Sequence, residues 1–242
     1  MKIQLQRLWA AASIVMGSVA AIAAPANAFN FTTGTNLGEC GDIPLEQLSN
    51  NSEVSISTTT SCTTADGITL STDTGVLSLK EVNGTKGVGI YDDLHPNGSL
   101  QEIDYGEHLM LSTAGPSIWK YIDISFLYQE GAFGDVVDEV AKISAGEKMG
   151  TLSIIDEDTA EWSLGGIVEM LSKSDSTGGG SYRIHNPFGD MEVSKVTLTS
   201  NQDGNYIYSD FGVSGAEAMP VPEPSVLLGI AMLGGVGALR RR

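Results

Sequence analysis

Between Val54 and Val213 the apolar positions recur mostly every second residue, the period of a half-buried β-strand. Val54 and Ile56 alternate with polar neighbours, as do Ile68 to Leu70 and then Val76 to Val82. Asn83-Gly84 is a hairpin turn signal, after which Gly87 to Ile90 resumes an extended run. Pro96 and Asn97-Gly98 mark Asp92 to Ser99 as a loop. Glu107 to Leu111 and Ile118 to Tyr128 read as the next two strands. In the second, Ile122, Ile124, Phe126 and Tyr128 alternate with Asp123 and Ser125. Asp135 to Ile143 fits either a helix face or a strand, and strand neighbours on both sides favour strand. Gly150 to Ile155, Glu161 to Val168, Ser181 to His185, Glu192 to Thr199 and Tyr206 to Val213 complete the set. Ser174 to Gly180 reads as a Gly/Ser loop, Phe29 to Pro44 as irregular chain, and Leu45 to Leu48 as a short helical turn. Short strands at this spacing, with Gly, Pro and Asn between them, predict an all-β protein: a single jelly-roll-like β-sandwich.

The two ends break the pattern. Lys2 and Arg7 precede an apolar run from Leu8 to Ala24, and Ala26-Asn27-Ala28 is a small-x-small cleavage site. This is the layout of a secretory signal peptide, with the mature chain starting at Phe29; the alternative is an uncleaved anchor. At the other end, Pro222-Glu223-Pro224 opens an uncharged run from Ser225 to Leu239, closed by Arg240, Arg241 and Arg242. The two prolines make the tripeptide stiff and extended. As a helix the run reaches about 22 Å, short of a hydrocarbon core about 30 Å thick. Its arginines stay on the cytoplasmic side.

This tail resembles the PEP-CTERM sorting signal of Gram-negative bacteria. The resemblance covers only the tail. It implies recognition by an exosortase-type membrane protease, processing at or near Pro222, Glu223 and Pro224, and transient inner-membrane insertion as a hydrophobic sorting helix. Display at the cell surface, or release to the medium, follows. The alternative is a C-terminal anchor that is never cut. The expected organisation is a signal peptide (1–28), an acidic ectodomain (29–215), a linker (216–220) and a sorting segment (221–242).

Charge sharpens this picture. The chain carries a formal net charge of −17. Lys2, Arg7 and the three terminal arginines belong to the ends, whereas every acid except Glu223 lies between them, so the body alone is more negative still. Such a body repels nucleic acid and favours cations or cationic partners, and the same charge also serves plain solubility. Cys40 and Cys62 are the only cysteines, and an even pair in an exported chain reads as a disulfide.

Candidate chemistry is confined to acids and aromatics. Asp92-Asp93, Glu102-x-Asp104-x-x-Glu107, Asp135-x-x-Asp138-Glu139 and Asp156-Glu157-Asp158 supply the carboxylate oxygens that Ca²⁺ prefers. Glu102, Asp104, Asp135, Asp138 and Glu139 are the candidate ligands, with Ca²⁺ as the candidate cofactor; solvated surface acids are the plainer reading. None of the clusters matches a known Ca²⁺ loop. Trp119, Trp162, Tyr91, Tyr105, Tyr128, Tyr182, Tyr206 and Tyr208 include candidates for stacking on an exopolysaccharide or surface glycan, against the alternative of core packing. No nucleophile, zinc or phosphate-loop motif is present. The run Gly87 to Ile90, then Gln101 to Glu107, then Ile124 to Leu127 with Gly134-Asp135 is similar to a pattern in other tailed surface proteins, which again implies a jelly-roll-like domain without assigned chemistry. The function these readings favour is non-catalytic: structural, adhesive or carbohydrate-binding. The alternative is a secreted carbohydrate-active hydrolase on the same fold, needing two carboxylates set across a cleft.

Overall fold

The computed structural model describes residues 26–44, 58–92, 101–132, 137–174, 178–201 and 209–222. The signal peptide before Ala26, Leu45 to Leu48, Val54, Ile56, Asp135, Tyr206 to Tyr208 and the tail beyond Pro222 lie outside these residues.

The described chain is all-β apart from one 3-10 turn at Gly38–Asp42. Its strands are β1 Asn27–Asn30, β2 Ser61–Thr63, β3 Thr69–Thr72, β4 Val76–Val82, β5 Thr85–Tyr91, β6 Leu109–Tyr128 and β7 Val140–Ala145. They continue as β8 Lys148–Asp156, β9 Thr159–Trp162, β10 Val168–Lys173, β11 Gly179–His185, β12 Glu192–Ser200 and β13 Gly212–Pro220. All these ladders are antiparallel.

Strand β6 joins everything. Leu109 to Ser112 pairs with β3 on one edge and β12 on the other, so that Leu70 and Val196 both stand beside Leu111. Ile118 to Tyr128 pairs instead mainly with β13 and β11. The change of neighbours falls at Thr113 to Pro116, which the β12 register skips. Pro116 has no N–H to give a ladder, so the break belongs there. One wing is therefore β2-β3-β6-β12-β7-β8-β9, and the other is β10-β11-β6-β13-β5-β4. Both contribute to a single core, with Leu111, Val196, Leu198 and Ile143 from the first and Ile122, Ile124, Val88 and Ile184 from the second. The result is sandwich-like.

Several expected elements are redrawn. Glu107 to Leu111 and Ile118 to Tyr128 are not two strands but the two arms of β6, beginning at Leu109. Glu161 to Val168 is no single strand: β9 ends at Trp162 and β10 starts at Val168, with Gly165 and Gly166 at positive φ between them. The stretch 216–220 is not a linker but the second half of β13, with Ala216 and Ala218 wholly buried. Its small side chains gave no apolar alternation to read. Phe29 to Pro44 is not wholly irregular, because Asn27–Asn30 forms β1 and places Phe29 and Phe31 in the core. The Asn83-Gly84 hairpin is as expected, with both residues at positive φ between β4 and β5.

Phe126 carries a further surprise. Its φ is 62°, and the registers with β11 and β13 both shift close by. The alternation set by Ile122 and Ile124 is thereby reversed. Leu127 enters the main core, whereas Phe126 and Tyr128 form a separate cluster with Ala132 and Val82.

Strand β13 carries three neighbours in succession along its other edge. Ile103 N–H donates to the Phe211 carbonyl, Val88 of β5 pairs with Val213, and β1 covers Gly215 to Ala218. Glu102 and Ile103 are thus inserted between the diverging ends of β5 and β13, since Ile90 N–H also donates to the Glu102 carbonyl. The insertion needs Gly89: a Cβ there would stand 2.3 Å from the Gln101 carbonyl oxygen and the Glu102 Cα.

Candidate functional site

The inserted segment carries three carboxylates into the protein. Glu102, Asp104 and Glu107 are all buried, as is Glu139 just before β7. Opposite them on β4 is Lys80. Its Nζ lies 2.6 Å from Glu102 Oε2 and 5.2 Å from the centre of the Phe126 ring. Asp210, half-buried as a residue, completes the group by sharing a side-chain hydrogen bond with Glu139.

Neighbouring hydrogen bonds fix the members in place. Glu139 accepts from the Tyr128 N–H through its carboxylate and donates its own N–H to the Tyr128 carbonyl. Glu107 Oε2 accepts from the Asp104 N–H at 2.8 Å, and Asp104 Oδ1 from the Tyr105 N–H at 2.6 Å. Ser209 Oγ accepts from the Val140 N–H at 2.6 Å, tying the segment before β13 to β7.

Crowding acids in a desolvated place raises their pKa values. Burial holds the Asp210 carboxyl well above the usual aspartate range, and the charge of Glu102 adds to this against the pull of Lys80. Burial likewise pushes Glu107 up to about 8, assisted by Asp104 and Asp92 and opposed by the Asp104 N–H. Burial by itself lowers the Lys80 pKa, but Glu102, Asp210 and Glu139 together outweigh it, so the ammonium is stabilised.

The five candidate Ca²⁺ ligands fare differently. Glu102, Asp104 and Glu139 belong to this buried group. Asp138 does not: it is exposed and accepts from the Glu130 N–H at 2.9 Å. Asp135 lies outside the described residues. Among the described residues no three acidic, histidine or cysteine side chains converge as a metal-holding group. Asp158 and Glu157 are surface acids paired with Lys173.

A second charged pair stands on the wing formed by β11 and β6. Arg183 grips Asp123 with two parallel hydrogen bonds of 2.7 and 2.8 Å and stacks 3.7 Å over the Tyr121 ring. The Asp123 carboxylate is wholly buried.

The other candidates are placed as follows. Cys40 and Cys62 are bonded to each other. Trp119, Trp162 and Tyr182 are core residues and offer no stacking face, whereas Tyr105 is 44% exposed. Ala28 and Phe29 lie in β1 opposite Glu217 and Ala216 of β13, and the Ala28 carbonyl accepts from Asn36 Nδ2. Pro222 is the last described residue, two beyond β13, with Glu223 and Pro224 outside. Among the described residues, one surface hollow, bordered by Val82, Phe126 and Ser181, is lined by no carboxylate, and another, bordered by Pro116 and Lys195, only by Glu192. Sequence reading missed Lys80 and Asp210. The available signal was a lysine inside the β4 alternation of a base-poor body. Searches of protein-family models, curated proteins and solved structures find no match to this chain.

Proposed function

We propose that this chain is an exported surface or matrix protein whose jelly-roll-like body acts without catalysis, in a structural, adhesive or sugar-binding role. A signal peptide ending at Ala28 starts export. An exosortase-type protease then processes the tail at Pro222, Glu223 and Pro224. The supporting observation is the pairing of the first strand with the last. Phe29, the first residue of the processed chain, stands opposite Ala216 of β13, so the body begins beside the strand on which it ends. This supports a reading in which both end segments are addressed to one membrane. The disulfide fits an oxidising compartment.

A hydrolase finds less support. Glu107 has a raised pKa of the kind a general acid needs, and it is buried rather than set across a cleft. A Ca²⁺ ion at Glu102 and Glu139 would have to compete with the Lys80 side chain, which already holds Glu102 Oε2. Mass spectrometry of the protein from cell-surface and medium fractions tests the export reading. An N-terminus at Phe29 and a C-terminus near Pro222 are expected. Full-length chain in the cytosol, with Arg240 to Arg242 attached, would overturn it.

A further inference from the structure

We propose that Lys80 and Glu102 condense into an amide, an intramolecular cross-link stapling β4 to the inserted segment. The pair has the parts that such a bond needs. An amine nitrogen stands 2.6 Å from a carboxylate oxygen, which puts the carboxyl carbon one bond further on. The Glu102 side chain is 2% exposed, and the face of Phe126 flanks the amine. The second carboxylate oxygen, Oε1, is buried with no hydrogen-bond partner.

That unmatched oxygen distinguishes this pair from an ordinary ion pair. A buried salt bridge is stable only when its remaining lone pairs are satisfied, and leaving one unmet is costly. An amide removes the charge and with it most of that cost. In water, condensation is opposed because amine and acid are both ionised and solvated. Burial takes away that solvation. Fixed proximity then supplies an effective concentration on the order of 10⁵–10⁸ M, which lowers the barrier to condensation.

The step balances without any co-reactant. Lys80 passes one proton from Nζ to Glu102 Oε2, leaving a neutral amine against a neutral acid. The Nζ lone pair attacks Cδ. The Cδ–Oε2 bond breaks, Oε2 takes a second proton from the nitrogen, and one water leaves. At 2.6 Å the Lys80 nitrogen and Glu102 Oε2 are within reach to exchange both protons directly.

The test is peptide mapping of the full-length protein as recovered from folded material with its disulfide intact. A joined pair of peptides, one containing Lys80 and one Glu102, lighter by one water than their sum, is expected. Trypsin will leave the bond after Lys80 uncut. In Lys80→Arg the two peptides will be separate. In Glu102→Gln the same joined pair will form with loss of ammonia instead. Separate peptides from the folded wild type, cut normally after Lys80, would overturn the proposal, and that result needs no variant to fold. The link depends on the body alone, so it is read independently of the state of either terminus.

Discussion

Two cation–carboxylate pairs in this protein share nearly the same burial and differ in everything else. The Lys80 and Arg183 side chains are 23% and 24% exposed, and their partners Glu102 and Asp123 are 2% and 0% exposed. Arg183 occupies both oxygens of Asp123 and rests on Tyr121. Lys80 occupies one oxygen of Glu102, leaves the other unmatched, and is surrounded by further acids. Burial therefore does not decide what an ion pair does. The planar fork of arginine saturates a carboxylate, and that pair is structural. A lysine is a point charge on a nucleophilic atom, and its half-satisfied partner is left open to chemistry.

The largest expected effect breaks the arginine side of this comparison. Arg183→Ala strands a fully buried carboxylate and should lower stability by about 3–5 kcal/mol in denaturant titrations. Glu102→Gln ends in the same amide with Lys80 and should cost at most about 1 kcal/mol. Equal losses would show that the two pairs do the same work.

A middle-sized effect sharpens the contrast through pH. Glu107 belongs to the lysine side and is pushed up to about 8 in the folded protein from 4.5. Between those values the folded state keeps a proton that the unfolded state has released. Stability from this group is thus fully present below 4.5 and is lost as pH rises towards 8. The slope for one such proton is at most about 1.4 kcal/mol per pH unit. Asp210 adds to the slope in the same direction. Glu107→Gln should flatten the Glu107 part of that fall, measured as melting temperature across the window. An unchanged profile would remove Glu107 as its source.

The smallest expected effect is none. With Glu102 Oε2 held by the Lys80 nitrogen, and no three acidic, histidine or cysteine side chains converging among the described residues, added Ca²⁺ or a chelator should leave the melting temperature unchanged. A rise with Ca²⁺ would restore the metal reading of those carboxylates.

Much of the fold is legible in short stretches of the chain. Strand β4 and the Asn83-Gly84 turn fall where alternation and turn chemistry put them, because both are local properties of a few residues. The pairing of Cys40 with Cys62 follows from there being only two cysteines. The second half of β13 is hidden, since its Gly215, Ala216 and Ala218 are small to suit their neighbours rather than apolar in a visible rhythm. Tyr128 falls on the opposite face from its expected one for a similar reason. One left-handed residue, Phe126, reverses the parity of the strand, and no period-2 pattern records such a step.

By itself, then, the chain's order of residues determined most of the strands, the Asn83-Gly84 turn and the acidic charge of the body. These depend on neighbours in sequence, or on composition, and neither requires a fold to be known. Only the tertiary structure decided that Lys80, Glu102, Glu139 and Asp210 form one group. They come from β4, the inserted segment and the approaches to β7 and β13, and long-range strand pairing alone brings them together. It also decided that Glu102 is buried with one oxygen unmatched, because that depends on which strands part to admit it. A carboxylate's chemistry is set by its surroundings, and here those surroundings are assembled from residues far apart in the chain.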